Sequence, residues 1–212
     1  MINTIIDISH YQHHIDFDRV KADGIVAVIH KATEGETYKD RDYHDKKAEA
    51  KAKGFLWGAY HFSSGGSVTN QVEHFLNYAQ PEDDELIALD FEPSSSGPNM
   101  TLDQAHRFVE MIKTELGRYP MIYGGSMLRD AIGRHLDPIL ANCPLWYARY
   151  ASRPIGIPIQ VWDKGEMLWQ YTDGNVGSDP HKVVGIGRCD RNIFKGTIDE
   201  LRAQWPFTKR VT

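Results

Sequence analysis

Leu86-Ile-Ala-Leu-Asp-Phe-Glu-Pro93 reads as a buried strand that ends in carboxylates. Four apolar residues run unbroken, two acids then bracket an aromatic, and a proline stops the ladder. Amphipathic helical patterns flank this stretch, at 68–80 before it and 102–116 after it. Thr101-Leu-Asp-Gln104 has the form of a capping box, and Gly54 and Gly117 stand where helices should stop. Moving outward, the same alternation repeats. Strands are expected at 4–9, 25–32, 56–63, 86–92, 121–125, 145–150, 167–172 and 188–194. Helices are expected at 16–22, 42–53, 68–80, 102–116, 127–135 and 198–205.

Strand and helix in alternation argue for parallel βαβ units. About eight strands favour a closed barrel over an open sheet. The helical signal thins after residue 135, and two prolines, Pro154 and Pro158, fall between Tyr150 and Met167. The fold expected is therefore α/β, a distorted TIM-like (β/α) barrel with fewer than eight helices. A doubly wound sheet is the alternative. Its glycine-rich turn after the first strand is replaced here by Ser9-His-Tyr-Gln12.

The chain has 212 residues, which favours one domain spanning 1–212. Hydrophobic residues make up 41%, enough for a single core, so disorder, collagen and coiled coil are excluded. A formal charge of −5 speaks against a nucleic-acid partner. Cys143 and Cys189 lie far apart and read as reduced thiols. The start, Met-Ile-Asn-Thr-Ile-Ile-Asp, has no basic or long apolar region, so no signal peptide and no membrane insertion are expected.

In such barrels chemistry gathers at the carboxyl ends of strands. Asp7, Asp90, Glu92 and Asp190 all fall at or near predicted strand ends, among apolar neighbours. Strand side chains alternate faces, so Asp90 and Glu92 should point the same way, roughly 6.5–7 Å apart at Cα. Two partly desolvated carboxyls that close cannot both ionise cheaply, so one keeps its proton. A proton donor beside an anion is what glycoside cleavage requires. The competing reading is that both acids pair with Arg or Lys and only orient loops.

Other chemistries are weaker. Tyr123-Gly-Gly-Ser-Met-Leu128 approaches a nucleophile elbow but ends in Leu, so Ser126 reads as a helix N-cap. His10, His13 and His14 crowd one loop without metal-ligand spacing. Gly185-Ile-Gly-Arg-Cys189 lacks the third glycine of a dinucleotide site. Neither a metal nor a cofactor is expected. Aromatics also collect near strand ends, and Tyr60, Tyr123 and Trp146 are candidate sugar contacts, with barrel packing as the alternative. Trp169 and Tyr171 share one face and Gln170 takes the other, so one of those sets at most lines a site.

These residues resemble glycoside hydrolase family 25, the Chalaropsis-type lysozymes and phage endolysins. The resemblance rests on Asp7-Ile-Ser-x-x-Gln12, Lys31-Ala-Thr-Glu-Gly35, Gly58-Ala-Tyr-His-Phe62, Leu89-Asp-Phe-Glu92, Leu145-Trp-Tyr-Ala148, Leu168-Trp-Gln-Tyr171 and Asp190-x-Asn-x-Phe194. It implies an N-acetylmuramidase that cuts the β-1,4 bond from N-acetylmuramic acid to N-acetylglucosamine in peptidoglycan, without a metal. By motif, Glu92 is then the general acid and Asp90 the second carboxylate. Asp7 and Asp190 are supporting acids, and Tyr60, Tyr123, Trp146 and Gln170 substrate contacts. A monomer is expected, made in the cytoplasm and released to the wall or periplasm by a holin or a secretion machine. Many relatives carry wall-binding repeats, so targeting here should come from the cleft or a partner. The competing functions are a sugar-binding barrel without turnover and a metal-dependent polysaccharide deacetylase.

Overall fold

The computed structural model describes residues 1–208. Eight strands close a barrel: β1 (Ile2–Ile8), β2 (Ala27–Glu34), β3 (Leu56–Phe62), β4 (Leu86–Asp90), β5 (Met121–Gly124), β6 (Leu145–Ala148), β7 (Leu168–Thr172) and β8 (Asp190–Phe194). Neighbours from β1 to β7 run parallel. The last strand, β8, runs antiparallel to both β7 and β1 and completes the ring. A parallel return would need a crossover from the far end of β7. Instead the chain re-enters at the end it has just left, after a small hairpin of Lys182–Val183 and Gly187–Arg188. Residues 188–194, expected as one strand, are therefore split between that hairpin and β8.

Six α-helices are present among the described residues: α1 (Phe17–Ala22), α2 (Tyr43–Ala52), α3 (Val68–Ala79), α4 (Leu102–Leu116), α5 (Ser126–Ile132) and α6 (Ile198–Gln204). On α4, Ala105, Phe108, Val109 and Ile112 recur at helical spacing and are buried. Thr101 and Gln104 form the full capping box, and Gly117 ends the helix in the left-handed region at φ 68°. On α3, Val68, Val72, Phe75 and Ala79 do the same against the barrel. Between β6 and β7 there is no helix, as the prolines foretold.

Two expectations at α5 are corrected. Its N-cap is Gly125, and Ser126 is its first helical residue, without a capping bond. The turn leaves little room for side chains: a Cβ on the N-cap Gly125 would lie 3.1 Å from the Ala148 carbonyl oxygen, and one on Gly124 3.0 Å from the Phe91 carbonyl oxygen. The helix also stops at Ile132, where Gly133 turns to φ 57°.

Strand alternation sorts the core into two clusters. Outward residues such as Val28, Trp57, Leu89, Ile122 and Tyr147 pack under the helices. Inward residues Ile5, Ala27, Ile29, Leu86, Ala88, Met121, Leu168 and Phe194 fill the barrel. Leu201 and Trp205, at the end of α6, close its floor. Trp205 Nε1 donates to the Trp57 carbonyl at 3.1 Å. Cys143 and Cys189 are buried and unpaired.

Candidate active site

Following each inward row upward, apolar residues give way to polar ones. On β1, Ile5 is followed by Asp7; on β2, Ile29 by Lys31; on β4, Ala88 by Asp90; on β7, Leu168 by Gln170. All four polar side chains line one open cavity of about 340 Å³, together with Glu92, Asp190, Tyr60, Tyr123 and Trp146. Every residue expected at the site is therefore brought to one mouth.

Two of the acids arrive by a different route than expected. The fourth strand ends at Asp90, and Glu92 lies in a bend beyond it. Phe91 N still donates to the Tyr123 carbonyl at 2.9 Å, which carries the strand direction far enough to keep Glu92 on the cavity side. Asp190 is at the amino end of its strand, not the carboxyl end. Because β8 runs antiparallel, its start is at the mouth, and Asp190 pairs directly opposite Asp7. Side chains directly opposite in a sheet have Cβ atoms about 4.5–5.5 Å apart, where two like charges repel.

Hydrogen bonds decide which member of that pair holds the charge. Asp7 accepts from Asn192 Nδ2 at 2.8 Å and from Gln170 Nε2 at 3.0 and 3.1 Å. Burial raises the Asp7 carboxyl, and these donors pull against it. Asp190 is pushed up to about 9, first by burial and then by the charge of Asp7. At neutral pH Asp190 keeps its proton and is hydrogen-bonded to Asp7.

Asp90 and Glu92 form the second pair. Burial raises Asp90 well above the carboxylate range, and the charge of Glu92 adds to it. Glu92 rises to about 7, chiefly through burial and then through Asp7. Where one raised carboxyl was expected in this pair, both are raised. Lys31 opposes the rise at Asp90, but it is ion-paired with Glu34 and lies 4.6 Å from the Phe62 ring centroid. Among the described residues no basic side chain forms an ion pair with Asp90 or Glu92, so neither is locked behind a cation. Asp90 Oδ1 is buried and has no hydrogen-bond donor among the described residues.

The aromatic and amide lining is held in place from behind. Tyr123 meets Trp146 edge-on at 4.6 Å, and Tyr60 meets it at 6.3 Å. Trp146 Nε1 donates to Asn192 Oδ1 at 2.7 Å. Gln170 Oε1 accepts from the hydroxyls of Tyr123 at 2.7 Å and Tyr150 at 2.8 Å. Trp169 and Tyr171 face outward, so of the two sets on β7 it is Gln170 that lines the site. Sequence reasoning missed Asn192, Tyr150 and Lys31. Asn192 was within reach, since it shares Asp190's face two residues on, and Lys31 continues the Ala27–Ile29 row. Tyr150 was also within reach, since it shares Trp146's face in the strand expected at 145–150, although β6 itself ends at Ala148.

Comparison with known proteins agrees with this geometry. The family model for glycosyl hydrolases family 25 matches residues 6–179. The chain is similar to an N,O-diacetylmuramidase of Arthroderma benhamiae, 30% identical over 208 residues, covering 92% of this chain and 83% of that one. It is 43% identical over 191 residues to an autolytic lysozyme of Clostridium acetobutylicum, covering 89% of this chain and 55% of that one. A solved muramidase from Trichobolus zukalii superposes with TM-score 0.78 at 31% identity, covering 93% and 96% of the two chains. A closed barrel with four acids at its mouth, matched by the family model over most of its length, places this chain among the glycosyl hydrolases of family 25, and it is a glycosidase.

Proposed function

We propose that this glycosidase is an N-acetylmuramidase, hydrolysing the β-1,4 bond from N-acetylmuramic acid to N-acetylglucosamine in peptidoglycan, with 1–212 as one catalytic domain acting at the wall or periplasm. The observation that carries the reading is the pairing of acids at the mouth: Glu92, raised to about 7, beside Asp90, whose Oδ1 lacks a donor. Relatives named muramidase and lysozyme support the substrate class.

In this reading Glu92 gives its proton to the leaving glycosidic oxygen as the bond to the muramic acid C1 breaks. The sugar's own acetamido oxygen closes on C1 and forms an oxazolinium ring, the substrate-assisted route. As the substrate's N–H donates to Asp90 Oδ1, Asp90 releases its own proton to solvent, and the carboxylate then balances the positive ring. Water then adds to C1, its proton returns to Glu92, and the ring opens to the acetamide. Asp7, with Asp190 bound to it as a neutral acid, supplies the negative field that keeps Glu92 protonated until substrate arrives. Gln170 is a positioning residue, because its amide is spent on Asp7 and two tyrosines; Tyr60, Tyr123 and Trp146 face the sugar.

Mass spectrometry of digested murein tests the bond. The expected product has muramic acid at its new reducing end. A glucosamine reducing end, loss of acetyl groups without cleavage, or binding without new ends would each overturn the proposal. A stable glycosyl ester trapped on Asp90 would keep the activity and overturn the substrate-assisted step.

A further inference from the structure

We propose that Tyr11 is a stacking platform for a pyranose ring of the glycan strand beyond the two sugars that flank the scissile bond. This outlying subsite rests on the peptidoglycan reading above.

Tyr11 sits on the turn that leaves β1 just after Asp7. It is 77% exposed, yet it lines the same cavity as the four acids. A large exposed side chain at a turn tip usually rides on loosely held backbone. This turn is fastened at every residue. Ser9 N donates to Gln12 Oε1 at 3.0 Å, and His10 N to Asp40 Oδ2 at 2.8 Å. Tyr11 N donates to Ser9 Oγ at 3.4 Å, and Gln12 N to the Ser9 carbonyl at 3.1 Å.

The anchors come from outside the turn. Asp40 is fully buried, and Lys46 Nζ, also buried, donates to the Gln12 carbonyl at 2.6 Å. The His10 ring backs Tyr11 at 4.2 Å between centroids with a 36° tilt. His10 is in turn fixed by Asp40 at 3.1 Å and by the Tyr38 hydroxyl at 2.9 Å. Two buried charged groups thus hold a ring that packs against little besides His10.

A rigid, exposed aromatic face at the rim of a polar cleft suits a ligand with flat C–H faces and many hydroxyls. Tyrosine loses little rotamer freedom on contact, and a fixed turn removes most of the ordering cost. The charge of Asp7 in the same cavity disfavours anions, nucleic acid included. A neutral pyranose satisfies both conditions, and a polymer threaded through the open mouth would bring one to the rim.

The test compares kcat/KM on long murein glycan strands with kcat/KM on the shortest fragment the enzyme cleaves, for wild type, Tyr11→Ala and Tyr11→Phe. Tyr11→Ala should lower the long-to-short ratio about tenfold, through KM on the long strands. Tyr11→Phe should keep the wild-type ratio, because stacking does not use the hydroxyl. An unchanged ratio in Tyr11→Ala, or an equal loss in Tyr11→Phe, overturns the platform while leaving the muramidase reading intact. A wild type that cleaves neither substrate overturns that reading and the platform with it.

Discussion

The interior of the barrel has a lower and an upper storey built from the same strands. Below lie Ile5, Leu86, Met121, Leu168 and Phe194, apolar and closed off by Trp205. Above lie Asp7, Asp90, Tyr123, Gln170 and Asp190, polar and open to solvent. On β7 the change from one to the other takes two residues, Leu168 to Gln170. The lower storey removes hydrocarbon from water and asks nothing of its partners. The upper storey holds four carboxyls that disfavour one another's ionised forms. Stability and chemistry are therefore separated by height inside one barrel.

The largest expected effect strikes the upper storey alone. Glu92→Gln should lower turnover of murein about 10²–10⁴-fold, and Asp90→Asn comparably, read as release of reducing ends. Thermal unfolding should show neither variant less stable at pH 8, because each removes a raised carboxyl. The converse change, Leu168→Ala, should cost about 2–5 kcal/mol of stability by denaturant unfolding. The folded fraction should keep its turnover within a few-fold. A Leu168→Ala protein that stayed stable but lost turnover would break the division between storeys.

Much of this division was legible from residues alone. Period-two rows that begin in Ile, Leu or Ala and end in Asp are visible on β1 and β4. The helices that cover the barrel announced themselves by spacing and caps, α4 to the residue. What periodicity could not carry was direction. Nothing local in Asp190-Arg-Asn-Ile-Phe194 states that β8 runs opposite to the rest, since that follows from how the ring closes. Asp190 was thus located at the site for an incomplete reason. Likewise the turn at Gly124-Gly125 obeys a close approach to Phe91, a tertiary contact that overrides Ser126's preference for capping.

The electrostatics of the upper storey sharpen the comparison through pH. Asp190 rises from 3.8 unfolded to about 9 folded, and Glu92 from 4.5 to about 7. Between those limits the folded state holds protons that the unfolded state has released, so stability falls as pH rises. The contribution is whole below about pH 4 and is lost through pH 7 for Glu92 and pH 9 for Asp190. These two acids lower Tm from pH 5 to pH 8, each kcal/mol reading as roughly 2–4 °C, against His30 and His61, which burial lowers to about 4 and which act in the opposite sense. Asp190→Asn should flatten that slope and raise Tm at pH 8. The same titration sets activity: the basic limb of the pH–rate profile should fall near 7, where Glu92 loses its proton. A profile flat from pH 4 to 8 would remove Glu92 from the role of acid.

The smallest effect probes the lower storey from its edge. The helix α6 carries Leu201 and leads into Trp205, and it begins with a capping box in which Thr197 Oγ1 accepts from Glu200 N at 3.2 Å while Glu200 Oε2 accepts from Thr197 N at 2.8 Å. Thr197→Ala frees one backbone donor at an exposed helix end, which costs about 1 kcal/mol, or a few degrees of Tm. Because Thr197 only caps the helix that leads to the floor of the barrel, the basic limb of the pH–rate profile should not move. The two readouts separate causes that a single activity measurement would merge. A fall in Tm with an unmoved limb means the floor bears on stability without reaching the acids. A shifted limb means that Trp205, through the Trp57 carbonyl it is bonded to, sets the height of β3 and with it the position of Tyr60, which lines the cavity with Asp90. The storeys would then be coupled along the strand, and the separation by height would hold for composition but not for energy.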